Sequence, residues 1–467
     1  MGYLILFLSL ISGGYILLRK EVNFISYILF LQVFLIFAVN KVQPNLTRLT
    51  GTFISFLMVV LSVYLVFVKR KVTMLQFDIL MKFLCLIALT LIYLIATALI
   101  KDIDPIIYLK FIRNRFLFLI VFFFLIFESG KIKKNMVINS ILFILFIEAG
   151  IGLLQYFGPR ELFDFFIMSP YVNSSGNIIQ LVAEKNVNLG TVETGTLGRI
   201  NYFANIVSLL TVYMTFVLFN TKEINKKRKM LIAAAISFGI TAIILSGVKT
   251  SVVSLVIGLF LVIFFKNRIA GFAIITVCVV LLSVYSHSLY IRGFESVETI
   301  TKNRKVSTFT DPIERLTSLF VLLQDPSNLD NKTSLTFRRT FALAPYFPDS
   351  PLIGSDRYWK SGYGECYHGS PTFSASDAFL MFTLVEFGLI GTIIYLLPYL
   401  LTISIVKKYG NKKAYVMICI ILSILIMQTV TDVGLFHRTA NMLFFIFAGV
   451  EINLSRRKYP SLAIASR

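Results

Sequence analysis

Negative charge is scarce in this chain. Across 467 residues 24 Asp and Glu face 45 Lys and Arg, and charged residues of both signs make up only 15% of positions. A soluble domain carries about 25% charged residues, so a conventional soluble fold is excluded. Histidine and cysteine are equally sparse, at three and four residues. Cys85, Cys278 and Cys419 lie in apolar runs and only Cys366 lies in a long loop, which leaves it no loop partner for a disulfide. No CxxC or Cys/His grouping suggests a metal, and no cofactor is expected. The Walker loop, the GxSxG elbow, the HExxH zinc pair and a GxGxxG turn ahead of a helix are all missing. The apolar runs contain few acidic residues, Glu148 being the main exception, so an ion- or proton-coupled carrier lacks its usual intramembrane carboxylates. There is no low-complexity segment and no inverted repeat between the halves. The first apolar run, Tyr3 to Leu18, precedes its basic pair Arg19-Lys20. A cleaved signal carries its charge first, so the run reads as a retained helix with its N-terminus outside.

Apolar residues are abundant, at 57% of the chain, and the mean hydropathy is +0.81. A spanning helix needs about 20 mostly apolar residues. Runs of this kind lie at 2–18, 23–40, 52–68, 79–100, 113–128, 137–157, 203–220, 231–247, 250–265, 270–288, 377–404, 414–430 and 438–453. The spans 231–247 and 250–265 form a tight hairpin about Gly247 to Ser251. The expected fold is an all-α polytopic membrane protein of about 12 to 14 transmembrane helices with a large, partly helical outer loop. Its parts are residues 1–288 with ten helices, the loop 289–376, and residues 377–467 with three more helices and a tail.

The net charge of +21 does not point to nucleic acid, because of where it sits. Lys and Arg gather in short clusters between apolar runs: Arg19-Lys20, Lys69 to Lys71, Lys131 to Lys134, Lys222 to Lys229, Lys266 to Arg268, Lys407 to Lys413 and Arg456 to Lys458. All fall in alternate loops or in the C-terminal tail, which is the positive-inside pattern of a cytoplasmic face. The other loops carry charges of both signs; the longest, 289–376, holds ten basic and nine acidic residues. Loops 158–202 and 289–376 are therefore expected outside. Asp311-Pro312 followed by Ile313, Leu316, Leu319, Phe320 and Leu323 reads as a capped amphipathic helix within the long loop. Glu161 to Met168 reads as an interfacial piece.

Three features of the outer face bear on function. His287, His368 and His437 all fall there, either by interfacial preference or for a reason of chemistry. Cations recur at outer membrane edges: Arg113, Arg115, Arg199, Lys249, Arg338, Arg339 and Arg438. Positive-inside bias depletes such positions, so each is either snorkelling or paired, or it serves an anionic ligand such as a pyrophosphate. The long loop ends His368-Gly-Ser-Pro-Thr-Phe-Ser-Ala-Ser-Asp377 and enters a helix. Ser376 or Asp377 caps that helix, or Asp377 acts as a general base at the membrane rim.

Four segments, in order along the chain, resemble the superfamily of O-antigen ligases and Wzy-type surface-polysaccharide polymerases. Gly195 to Ala204 (GTLGRINYFA) is similar to its Gly-rich stretch ending in Asn-x-x-Ala, here Asn201 to Ala204. Leu245-Ser-Gly-Val-Lys249-Thr-Ser251 resembles its Ser-Arg helix opening, with Lys249 where Arg is commoner. Arg338-Arg339 followed by Pro351-Leu-Ile-Gly354 resembles its loop pattern. Asp377-Ala-Phe-Leu-Met-Phe-Thr-Leu-Val-Glu386-Phe-Gly388-Leu-Ile-Gly391 is similar to its His-Asn-x-x-Leu…Glu-x-Gly-x-x-Gly entry, with Asp377 at the position of the ligase histidine. That departure favours polymerase over ligase.

The resemblance implies a multi-pass protein of the bacterial cytoplasmic (inner) membrane with periplasmic loops. Its substrate would be an oligosaccharide repeat unit of O-antigen or capsule on undecaprenyl pyrophosphate. The glycosyltransferase would pass the growing glycan to the incoming unit's non-reducing end, in a membrane shared with a flippase and a chain-length regulator. Arg199, Lys249, Arg338 and Arg339 are the expected pyrophosphate ligands. Asp377, with His368 second, is expected to serve the acceptor. Tyr358, Trp359 and Tyr367 either stack on sugar faces or pack loop helices. Two rivals stay open: a ligase that delivers glycan to lipid A core or protein, and a lipid-linked oligosaccharide flippase or other transporter.

Overall fold

A computed structural model describes residues 74–102, 119, 122, 134–158, 171–172, 178–179, 200–221, 224–271, 351–354, 379–431 and 438–456. Eight long helices lie within them: α1 (Met74–Ile100), α2 (Lys134–Phe157), α3 (Ile200–Asn220), α4 (Lys226–Ser246), α5 (Lys249–Lys266), α6 (Phe379–Tyr409), α7 (Lys412–Thr431) and α8 (Arg438–Arg456). Two two-residue strands, Tyr171–Val172 and Ile178–Ile179, also fall among the described residues. Six of the helices are long and apolar enough to cross a membrane: Phe77–Ile100, Val137–Phe157, Tyr202–Asn220, Lys226–Ser246, Phe387–Tyr409 and Lys412–Thr429. Thr250–Lys266 and Ala440–Ser455 are shorter apolar helices. The chain is a polytopic membrane protein. In hydrocarbon a backbone must satisfy its own N–H and C=O groups, and a helix does so within one segment. The expected spans 2–18, 23–40 and 52–68, most of 113–128 and 270–288, and both amphipathic loop pieces lie outside the described residues.

The chain forms two compact units. One comprises residues 142–170 and 178–338; the other comprises 1–141, 171–177 and 339–467. In the first, α3 is the central helix, with α4 and α5 packed on it. In its most apolar stretch 83% of residues are buried, against 33% in α4. A Cβ on Gly239 of α4 would overlap the Thr211 hydroxyl and lie 3.2 Å from Leu145 Cδ1, so a residue without a side chain lets the two helices approach. Phe146 meets Phe238 edge to face at 5.7 Å.

The hairpin expected at Gly247 to Ser251 is present but tighter, with only Gly247 and Val248 between the helices. Gly247 takes a left-handed conformation (φ 65°) and its N–H reaches the Ile244 carbonyl, a helix-ending geometry that glycine adopts without penalty. Helix α4 also starts earlier than the apolar run at 231. The Asn225 side chain accepts from the Arg228 N–H at 2.9 Å, so the basic cluster forms the first helical turn.

In the other unit α6, α7 and α8 pack together and α1 packs on α6. The core is aromatic. Tyr399 stacks on Phe445 at 5.6 Å and touches Phe444 at 5.4 Å, and Phe122 links Phe445 to Phe83. The Tyr399 hydroxyl donates to Asn441 Oδ1 at 2.6 Å, so its polar end is satisfied inside the bundle. At the α6–α7 turn, Asn411 caps α7 through Ala414 N–H and donates its own N–H to Ser455 Oγ on α8. Exposed Lys407, Lys408, Lys412 and Lys413 surround this end.

Helix α6 departs from the uninterrupted span expected over 377–404. It is broken at Gly388 (φ 63°, ψ −171°) and continues to Tyr409. The apolar stretch long enough to span begins at Phe387, beside the break. From Gly388 to Lys407 the helix rises roughly 29 Å, the thickness of a bilayer core.

Candidate functional site

Two local assemblies carry the motifs singled out in the sequence. The first lies at the starts of α3 and α5. Asn205 and Ser251 are fully buried, and the Ser251 hydroxyl donates to Asn205 Oδ1 at 2.6 Å. At the opposite ends of the same helices, Lys266 Nζ donates to the Phe219 carbonyl at 2.9 Å and lies 4.8 Å from the Phe219 ring centroid. One bond near each pair of ends makes α3 and α5 parallel, with α4 antiparallel to both. Ser251 lies two residues into α5 from Lys249, and Asn205 five residues into α3 from Ile200. At about 1.5 Å per residue the two helices begin within roughly 5 Å of the same level.

Helix starts leave N–H groups without intrahelical partners and carry a partial positive charge, which suits an anion. At α5 the N-cap is Val248, which offers no side-chain cap. Ser246 turns its hydroxyl to the Ile243 carbonyl and accepts from Val248 N–H at 3.3 Å, which firms the turn ahead of Lys249. Lys249 is the first residue of α5, and in the sequence Arg199 directly precedes Ile200, the first described residue of α3.

The second assembly is the break in α6. The Leu389 N–H donates to the Pro351 carbonyl at 2.9 Å and the Ile390 N–H to the Leu352 carbonyl at 3.2 Å. The Tyr93 hydroxyl of α1 donates to the Phe387 carbonyl at 2.5 Å. The Thr392 hydroxyl donates to the Gly388 carbonyl at 2.8 Å. Backbone groups released by the break thus find partners, as non-helical backbone at membrane depth requires. Two segments of the resemblance, Pro351 to Gly354 and Glu386 to Gly391, meet here.

Of the expected site residues, only Lys249 falls among the described residues. Arg199, Arg338, Arg339, Tyr358, Trp359, Tyr367, His368 and Asp377 lie outside them. Helix α6 is described from Phe379, two positions after Asp377 in the sequence. Glu148 is fully buried within α2. Among the described residues no group of three His, Cys, Asp or Glu could hold a metal ion. Sequence reasoning passed over Asn205 and Tyr93. Asn205 had a signal: with Ser208, Thr211 and Thr215 it repeats every three or four residues along an otherwise apolar helix. Tyr93, a single aromatic inside an apolar run, had none.

Compared with known proteins, the chain matches no protein-family model and no curated sequence.

Proposed function

We propose that the chain polymerises a surface polysaccharide on the outer face of a bacterial cytoplasmic membrane, as a glycosyltransferase using undecaprenyl-pyrophosphate-linked oligosaccharides. One observation carries the reading. Two parallel helices, α3 and α5, start side by side, joined by the buried Asn205–Ser251 bond. The sequence sets Arg199 directly before one and Lys249 first in the other. Two cations beside two helix starts suit the two phosphates of a lipid-linked donor.

The chemistry asked of the protein is modest. The acceptor hydroxyl attacks the anomeric carbon of the growing glycan. The bond from that carbon to the pyrophosphate oxygen breaks, and the lipid pyrophosphate leaves with the electron pair. Arg199, Lys249, Arg338 and Arg339 stabilise the charge developing on the leaving group. Asp377, or His368 in its place, takes the hydroxyl proton, and Tyr358, Trp359 and Tyr367 hold sugar faces. No nucleotide sugar or metal enters the scheme.

Charge bias supports the orientation in this reading. In the unit holding α6, the Pro351–Gly354 turn meets the helix one bilayer thickness from Lys407. Lysines of the α6–α7 turn then face the cytoplasm and the long loop faces outward.

Deleting the chain from its source cell separates the readings. Loss of a polymerase leaves a surface glycan one repeat unit long. Full-length glycan retained on the lipid carrier would instead indicate a ligase. Repeat units trapped on the cytoplasmic face would indicate a transporter.

A further inference from the structure

We infer that the contact between the Pro351–Gly354 turn and the Gly388 break is a fixed anchor that closes the base of a loop, making Gly388 and Leu352 positioning residues for the acceptor side of the reaction. The functional half of this inference rests on the proposed polymerase reading; the anchor itself does not.

The chain leaves the turn at Gly354 and returns at Gly388, so the 33 residues from Ser355 to Phe387 form a loop whose ends meet. A Cβ on Gly388 would overlap both the Leu352 carbonyl and the Gly354 N. Both glycines take positive φ, 63° at Gly388 and 79° at Gly354, where other residues are strained. The bonds to Leu389 and Ile390 N–H supply, from the far end of the loop, the cap that the second half of α6 lacks. Tyr93 fixes the other side of the break through the Phe387 carbonyl. Gly391 continues the arrangement, since a Cβ there would press on Tyr93 Oη at 2.9 Å.

Closing a long loop costs entropy that grows slowly with its length, and a few good contacts at its base offset it. What the closure achieves is register. The closed segment includes five expected site residues, Tyr358, Trp359, Tyr367, His368 and Asp377. Asp377 lies eleven residues before Gly388, and Tyr358 four after Gly354. Along the chain, both residues are therefore within eleven positions of an anchored glycine. A misplacement of about 1 Å in a reacting group can cost 100-fold in rate, so a fixed base has a direct kinetic consequence.

The test uses the full chain with its four cysteines replaced, carrying Leu352→Cys and Ile390→Cys, both at exposed positions, and a protease site inserted after Gly369. A short bis-maleimide is added, then the protease. One band after cleavage is expected; two fragments despite full labelling would overturn the anchor. The uncleaved variant should polymerise at the same rate after cross-linking as before it, because the anchor is permanent. Loss of activity on cross-linking alone would show that the contact must open, and would overturn a fixed anchor.

Leu389→Pro provides the second variant. It removes the N–H that reaches Pro351 at the start of a half-helix, where proline is tolerated, so the fold should survive. Cross-linking yield should fall, and kcat should drop about tenfold while KM for the lipid-linked donor stays within about twofold. Unchanged kcat in folded protein would overturn the positioning role. If the wild-type chain makes no polymer, the functional reading fails while the cross-link still decides the anchor.

Discussion

The Asn205–Ser251 bond should carry measurable coupling between α3 and α5. The donor–acceptor distance is 2.6 Å and both side chains are fully buried. Ser251→Ala removes one donor from Asn205 Oδ1 and leaves little cavity, so its cost should be about 1–2 kcal/mol, the range for stranding a buried acceptor. Asn205→Ala removes more, because the amide also fills space in a well-buried helix, and should cost about 2–3 kcal/mol. Side-chain hydrogen bonds inside membrane proteins couple by about 0.6 kcal/mol on average and up to about 1.7 kcal/mol. A short, fully buried bond belongs in the upper half, so the double variant should fall short of additivity by roughly 1 kcal/mol. The assay is a double-mutant cycle from equilibrium unfolding in a mixed-micelle denaturant series. A coupling within about 0.3 kcal/mol of zero would refute the reasoning, since independent sites add to that precision. It would remove the tie that levels the starts of the two helices, and with it the argument that pairs Arg199 with Lys249.

Three further outcomes follow. Gly239→Leu drives a side chain into the Thr211 hydroxyl and Leu145; it should destabilise the protein by about 1–3 kcal/mol in a thermal-shift assay, and a neutral result would deny the close α3–α4 approach. Tyr93→Phe withdraws the donor to the Phe387 carbonyl; a loss of about 1–2 kcal/mol is expected in the same assay, whereas full stability would mean that the bond contributes nothing to the break. Asp377→Asn should abolish polymer formation in folded protein if Asp377 is the base, whereas a mere helix cap would tolerate Asn, itself a good cap.

The helices were legible because hydropathy is a local, additive signal. The expected spans at 79–100, 137–157, 203–220, 414–430 and 438–453 end within a few residues of α1, α2, α3, α7 and α8. The break in α6 was not legible. A glycine inside an apolar run changes neither hydropathy nor length, and only the partner at Pro351–Gly354 makes its conformation tolerable. That partner lies 34 residues away from the break, and no periodicity argument reaches so far. The motif pattern marked both segments but not their meeting. The start of α4 was misjudged for the opposite reason: Lys226 to Lys229 read as loop by charge, yet a capping asparagine suffices to begin the helix there. At the first assembly the positions of Lys249 and the Ser246-Gly247 turn were visible as a helix opening. The burial of Asn205 against Ser251 was not, because it depends on α3 lying beside α5.

Reconstitution tests the central claim most directly. Purified chain in liposomes would be given lipid-pyrophosphate-linked repeat units and the products resolved by length. The account predicts a protein-dependent ladder of glycans that disappears with Lys249→Gln and Arg199→Gln together. No ladder from folded protein, with the lipid-linked sugar crossing the bilayer or passing to added lipid A core instead, would contradict it.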